Sequence, residues 1–140
     1  VTLPVIVRAA PDASRVLMWS FFAEDPRAVY VWPLAEPAQR ITLEAVGDER
    51  VVAAIWRDAR EIVVSLSPNA SARDADRLEV WPLEGPRRVV LRGQHRLDAV
   101  RPDGTAAITS RGVVDLATGA TAPIPGLGSG QRVLASLLIR

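Results

Sequence analysis

The apolar residues of this chain come in short runs of four to eight, rich in Val, Ile and Leu. Clusters of Pro, Gly, Asp and Asn separate the runs. Short apolar runs bounded by turn residues are typical of β-strands, and helical spacing does not persist for three turns. The pattern therefore predicts an all-β protein whose candidate strands are 4–10, 15–22, 28–34, 39–46, 50–56, 61–67, 77–83, 88–92, 95–100, 105–110, 112–116, 121–125 and 132–139.

The chain contains an internal repeat. Residues 29–43 read VYVWPLAEPAQRITL and residues 77–91 read RLEVWPLEGPRRVVL, so a Trp-Pro-Leu sequence occurs twice in the same context. A weaker third copy, VVDLATGATAPI, begins at Val113. Because Pro cannot donate a ladder hydrogen bond, Pro33 and Pro82 are expected at a strand end, a bulge or a sheet edge.

Two more strands joined by a tight turn precede each copy of the repeat, so the repeating unit has four strands. Pro-Asp sequences in the first and third turns preset a hairpin, because Pro fixes φ and Asp bonds its own backbone. We therefore predict one β domain over 1–140, with units at about 4–46, 50–92 and 95–125 and an extra strand at 132–139.

Four-stranded units of about forty residues resemble the blades of a β-propeller. The last unit carries the resemblance best, through RGQH at 92–95, PDG at 102–104 and VDLATG at 114–119. These are similar to the Gly-His, Pro-Asp-Gly and Trp-Asp-x-x-Thr-Gly landmarks of WD-repeat and TolB-like propellers. The resemblance implies about three blades plus one strand, either a part of a larger propeller or a ring completed by copies of the chain. A β-sandwich is the alternative fold.

Composition narrows the function classes. The chain has 140 residues, 49% of them apolar and 24% charged, and its formal net charge is +1. This balance excludes disorder and supplies no global field, so neither nucleic acid nor a membrane is an expected partner. No Cys and a single His leave no thiolate or multi-histidine metal site, and no cofactor is expected. The absence of a signal-peptide pattern favours the cytoplasm, with the compartment left open.

Several side chains are candidates for chemistry or recognition. The lone His95 could act as a general base, but the sequence contains no nucleophile motif for it to activate. The resemblance to WD-repeat propellers implies a structural role for this histidine, so no catalytic residue is predicted. Trp32 and Trp81 recur in the repeat and are predicted to pack between blades. Trp19 and Trp56 do not align with each other, and an exposed one of them is expected to anchor an interface.

An arginine-rich stretch is the most basic part of the chain. Its members are Arg87, Arg88, Arg92, Arg96 and Arg101, and we interpret them as a solvated rim. The first four are the candidates for an interaction role. The sequence as a whole predicts a non-enzymatic propeller scaffold or protein-recognition module, which binds a protein partner or associates with itself. Two alternatives remain open: an accessory or gating propeller of a larger hydrolase, and a propeller that binds a small ligand or glycan.

Overall fold

The chain folds into three consecutive four-stranded antiparallel sheets, which we call blades 1 to 3. The computed structural model describes residues 6–19, 27–47, 49–68, 77–93 and 96–124. Within each blade every strand pairs with the next one along the chain. Blade 1 contains β1 (Ile6–Ala9), β2 (Arg15–Trp19), β3 (Ala28–Pro33) and β4 (Ile41–Glu44), blade 2 contains β5 (Arg50–Trp56), β6 (Glu61–Ser67), β7 (Arg77–Pro82) and β8 (Arg88–Arg92), and blade 3 contains β9 (Leu97–Val100), β10 (Ala106–Thr109), β11 (Gly112–Asp115) and β12 (Thr121–Ala122).

The all-β prediction is confirmed, and every candidate from 4–10 to 121–125 contains a strand. The candidate strand at 132–139 lies outside the described residues. β4 begins later than predicted because Pro37–Gln39 form a 3₁₀ turn, which the preset φ of Pro37 favours. The β-sandwich alternative is wrong, since the described strands form three separate meanders and not two facing sheets.

The two proline residues of the repeat occupy the positions that their chemistry requires. Pro33 is the last residue of β3 and Pro82 is the last residue of β7. Each therefore ends a strand without removing a hydrogen bond from the middle of the ladder.

Blades 1 and 2 share the larger of the apolar clusters. Alternate residues of a strand point to opposite faces, and blade 1 contributes one such set, which includes Leu17, Val29 and Val31. Blade 2 contributes Ile62, Val64 and the fully buried Trp81 from its own facing side. The Trp81 part of the inter-blade prediction is therefore confirmed.

Blades 2 and 3 meet through a second cluster, which contains Val63, Leu78 and Val80 from blade 2 and Val114 and Leu116 from blade 3. The side chains of β6 and β7 contribute to one cluster from each face of the sheet. Blade 2 is therefore covered on both sides and forms the centre of the array. A glycine marks the close approach of the blades, since a Cβ on Gly119 would lie 2.3 Å from the carbonyl oxygen of Val90.

The two outer faces of the array are less covered. On blade 1 the face opposite the shared cluster carries Tyr30 and Trp32, both half-buried. No described blade lies against this face, so the expectation that Trp32 packs between two blades stays a prediction. On blade 3 the outer face carries a small cluster formed by Ala99 and Ile108 with Val113 and Ile124.

The contrast between the repeated tryptophans gives a first prediction. Trp81→Ala should destabilise the chain by about 3–5 kcal/mol, because it leaves a cavity in the core between blades 1 and 2. The exposed control Val46→Ala should stay within about 0.5 kcal/mol of the parent. Urea unfolding curves measure both, and a loss below about 1 kcal/mol for Trp81→Ala would contradict the packing described here.

Candidate binding surface at the first-hairpin end

The first hairpin of each blade is closed by an aspartate. The carboxylate of Asp12 accepts the backbone N–H of Ser14 at 2.9 Å, that of Asp58 accepts Arg60 N–H at 2.8 Å, and that of Asp103 accepts Thr105 N–H at 3.0 Å. In such Asx turns the aspartate side chain accepts a backbone N–H group of the turn that makes no hydrogen bond to a neighbouring strand. The three hairpins lie at the same end of the blades, which we call the first-hairpin end.

Hydrogen bonds within the turn lower the pKa of two of these aspartates. The Ser14 hydroxyl donates to Asp12 at 2.6 Å, and this bond, followed by the Ser14 backbone bond, lowers the pKa of Asp12. The Thr105 hydroxyl does the same for Asp103 at 2.6 Å and lowers the pKa of that carboxyl group. In both turns the hydrogen bonds favour the ionised carboxylate.

The first strands β1, β5 and β9 converge at this end around a cavity of 510 Å³. We call it the first-strand cavity. Each blade contributes one arginine to its lining, namely Arg8, Arg57 and Arg101. Among the described residues no acidic side chain lines the cavity, and the other lining residues are apolar or proline: Val7, Ala9, Pro11, Ile55, Trp56, Val100 and Pro102.

The three arginines differ in how they are held. The Nε of Arg57 donates to the carbonyl oxygen of Gly104 at 2.8 Å, and its Nη1 donates to Oε1 of Glu61 at 2.8 Å. Arg8 and Arg101 are exposed, and no ion pair with another described residue engages either of them. Arg101 also helps to lower the pKa of the nearby Asp103 carboxyl group. Arg57 is therefore held by its hydrogen bonds, whereas Arg8 and Arg101 form no direct ion pair among the described residues.

Two indole groups join blades 1 and 2 beside this cavity. Trp56 is 6% exposed and donates from Nε1 to the carbonyl oxygen of Arg8 at 2.9 Å, which fixes β1 against blade 2. Trp19 is 8% exposed and donates in the other direction, to the carbonyl oxygen of Ala54 at 3.3 Å. Both tryptophans lie in the core between the blades, and an interaction role for either stays a prediction.

A second cleft, of 540 Å³, lies where blades 1 and 2 meet at the same end. Its walls carry both signs of charge, from Arg15 and Arg60 on one hand and Asp58, Glu61 and Glu84 on the other. The Nη1 of Arg15 donates to the carbonyl oxygen of Ala59 at 3.0 Å, while its Nε is buried without a partner among the described atoms. A cleft of mixed charge selects no sign of ligand, so the first-strand cavity is the better defined site.

The chemistry open to the first-strand cavity is recognition of an anion. Guanidinium groups bind carboxylates and phosphates through paired N–H donors, and they are too basic to act as general bases. Within the described ranges no group of three His, Cys, Asp or Glu side chains has metal-binding geometry. A search of the same residues for helices long and apolar enough to cross a membrane finds none.

Comparison with known proteins supports the fold. No protein-family model matches the chain, and no curated protein matches its sequence. The solved structure of dihydro-heme d1 dehydrogenase NirN in complex with DHE is similar, with a TM-score of 0.55, 20% identity and coverage of 86% of this chain. NirN is a propeller-like protein. The chain has the fold of antiparallel β-propeller blades.

The match spans only part of the other protein. It covers 28% of the NirN chain, so the blades of this chain correspond to a portion of a larger assembly of strands. At this level of identity the similarity concerns the fold. It leaves the chemistry of this chain to be argued from its own residues.

The arginines of the predicted arginine-rich stretch lie in different surroundings in the structure. Arg87 stacks over the ring of Trp81 at 3.8 Å and donates to the carbonyl oxygen of Glu44, so it joins propeller blades 1 and 2. Burial lowers the pKa of Arg87, in keeping with that enclosed position. Arg96 donates to Asp98 at 3.1 Å. Arg88 and Arg92 are exposed on the outer strand of blade 2, and an interaction role for them stays a prediction.

Sequence reasoning missed the first-strand cavity: it noted Arg101 only as part of the arginine-rich stretch and did not single out Arg8 or Arg57. A signal was present, because an arginine occurs within four residues before the aspartate of each first hairpin, at Arg8, Arg57 and Arg101. Alignment of the blades on these aspartates, and not on the Trp-Pro-Leu sequence, would have revealed it. His95, the lone histidine, lies outside the described residues.

The lowered pKa values of the hairpin aspartates predict that the stability of the chain depends on pH. Because folding lowers the pKa of Asp12 and Asp103, their contribution to stability is present above the unfolded pKa and is lost as the pH falls through the folded pKa. Asp103→Asn should therefore destabilise the chain at pH 7, and the difference from the parent should shrink toward pH 3. Urea midpoints across this range measure the effect, with the exposed Glu36→Gln as control. An offset for Asp103→Asn that is the same at every pH would contradict it.

Proposed function

We propose that the chain is a non-enzymatic recognition module, in which propeller blades hold the first-strand cavity open to an acidic segment of a protein partner. The observation that carries this proposal is the lining of the cavity by one arginine from each of the three blades. The resemblance to WD-repeat and TolB-like propellers supports it, since those propellers serve recognition.

The distribution of charge argues for a specific acidic ligand. The chain has a net charge of only +1, so general attraction for anions is weak, whereas the cavity wall itself has three positive groups. An extended acidic segment also fits a site formed by separate strands, because its carboxylates are spaced along a chain. Arg57 is tied to Glu61, which leaves Arg8 and Arg101 to supply most of the attraction.

The geometry favours recognition over catalysis at this position. A catalytic site needs a nucleophile or a group that exchanges protons near the working pH. The described lining of the first-strand cavity offers guanidinium groups, an indole and aliphatic side chains instead. An arginine pair at the mouth of a rigid cavity is suited to hold a carboxylate in place.

The proposal predicts that the chain binds an acidic peptide selectively and that substitution of Arg8 or Arg101 weakens this binding. Fluorescently labelled hexaglutamate should bind the chain and hexaglutamine should not, as measured by anisotropy at low salt. Loss of a charged hydrogen bond at Arg8→Gln or Arg101→Gln should weaken binding by about tenfold each. Arg88→Gln is the matched control, since this exposed arginine lies on the outer strand of blade 2. Equal weakening by the control, or equal binding of the two peptides, would exclude the cavity as the site.

A second candidate function follows from the comparison with NirN. That protein is a dehydrogenase, and this chain corresponds to 28% of its length, which supports the possibility that these blades are an accessory part of a larger enzyme. The two candidates differ in what the full reading frame encodes. A reading frame that encodes further blades, with a product that does not hydrolyse esters, supports recognition. A reading frame that encodes a nucleophile elbow, with a product that hydrolyses esters, supports a hydrolase with an accessory propeller.

Assays of the full-length product on a p-nitrophenyl ester distinguish these outcomes. The 140-residue chain by itself should show no turnover, because the residues that could form a triad are missing from its sequence: it has no Cys and one His. Turnover by this chain that disappears in His95→Ala would overturn the recognition proposal.

A further inference from the structure

Arg57 and Arg101 occupy equivalent places in their hairpins. The backbone N–H of Arg57 donates to the carbonyl oxygen of Glu61 at 2.9 Å, and that of Arg101 donates to the carbonyl oxygen of Ala106 at 2.9 Å. Each arginine therefore faces its partner across the strand pair, directly beside the turn. Residues that face each other in this way have Cβ atoms about 4.5–5.5 Å apart, so their side chains interact. Blade 2 places a carboxylate opposite its arginine, whereas blade 3 places a methyl group there.

This difference explains why the two arginines are held differently. The Nη1 of Arg57 donates to Oε1 of Glu61 at 2.8 Å, and each side chain of the pair is 25% exposed. Arg101 has no carboxylate opposite it and forms no direct ion pair among the described residues. Blade 3 therefore shows this position of the hairpin without an acidic partner.

A second contact orients Arg57 and leaves its charge unchanged. Its Nε donates to the carbonyl oxygen of Gly104 on the first hairpin of blade 3 at 2.8 Å. The two hairpins approach closely here, since a Cβ on Gly104 would lie 2.9 Å from the carbonyl oxygen of Arg57. A carbonyl oxygen carries no net charge. Removal of the Glu61 carboxylate would therefore leave the guanidinium oriented by Gly104 and free its charge.

The Glu61 carboxylate also changes the electrostatic field of the first-strand cavity. Arg57 lines this cavity, while Glu61 lines the second cleft. A guanidinium and a carboxylate in contact have no net charge together, so the pair attracts an incoming anion only weakly. A ligand carboxylate must also compete with Glu61 for the N–H donors of Arg57. Both effects lower the affinity of the cavity for anions.

We propose that Glu61 limits the affinity of the first-strand cavity for acidic ligands, because it holds Arg57 in an ion pair and leaves recognition to Arg8 and Arg101. This inference rests on the proposed recognition of an acidic segment and deepens it. With Arg57 neutralised, the total charge of a ligand counts for less in binding, and its contacts with the arginines of blades 1 and 3 count for more.

Anisotropy of labelled hexaglutamate tests the proposal. Glu61→Gln keeps the size of the side chain and removes its charge, so it should raise the affinity about three- to tenfold. Glu61→Ala, which copies the methyl group of Ala106, should raise it as well. The matched control is Glu84→Gln, because Glu84 lines the same second cleft and forms no described hydrogen bond to Arg57. This control should change the affinity by less than about twofold.

Substitution of Arg57 separates a local effect from a general one. In the Arg57→Gln background, Glu61→Gln has no guanidinium to release, so the double variant should bind hexaglutamate no more tightly than Arg57→Gln alone. Arg57→Gln by itself should weaken binding less than Arg8→Gln or Arg101→Gln does. Urea unfolding midpoints show whether each variant is folded.

The outcomes separate this inference from the proposed function. Parent binding that depends on Arg8 and Arg101, but that neither substitution of Glu61 strengthens, overturns the inference alone. So does a gain that persists undiminished in the Arg57→Gln background, or one that Glu84→Gln equals. Binding by Glu61→Gln that the parent chain lacks supports the inference and overturns the proposed function. Absence of binding in the parent and in every variant overturns both.

Discussion

The fold depends on one constraint: each blade is a single sheet with apolar side chains on both faces, so each blade needs a neighbour on both sides. Blade 2 shows this directly, because Val80 and Trp81 are consecutive residues of β7 that are fully buried in different clusters. Burial of that kind removes apolar area from water on both faces of one layer, at about 25 cal/mol per Å². A lone blade of this type would leave one or both clusters exposed, so stability belongs to the array.

Hydrogen bonds that cross from one blade to the next keep the array in register. Trp19 of blade 1 donates to the Ala54 carbonyl of blade 2, and Arg57 of blade 2 donates to the Gly104 carbonyl of blade 3. Because a buried donor or acceptor without a partner is costly, such bonds favour one alignment of the blades over neighbouring ones. The Trp56 bond to the Arg8 carbonyl works in the same way, and it also sets the wall of the first-strand cavity.

Local chemistry in the sequence was enough to predict the strands, the prolines at strand ends and the grouping into fours. It was not enough to predict the difference between Trp32 and Trp81, whose surrounding sequences are nearly the same. Blade 1 packs against Trp81, whereas no described blade lies against Trp32, and such contacts between blades are not encoded in the local sequence. The grouping of the cavity arginines escaped prediction for a related reason: Arg8, Arg57 and Arg101 are far apart in sequence and line one cavity only because three first strands converge.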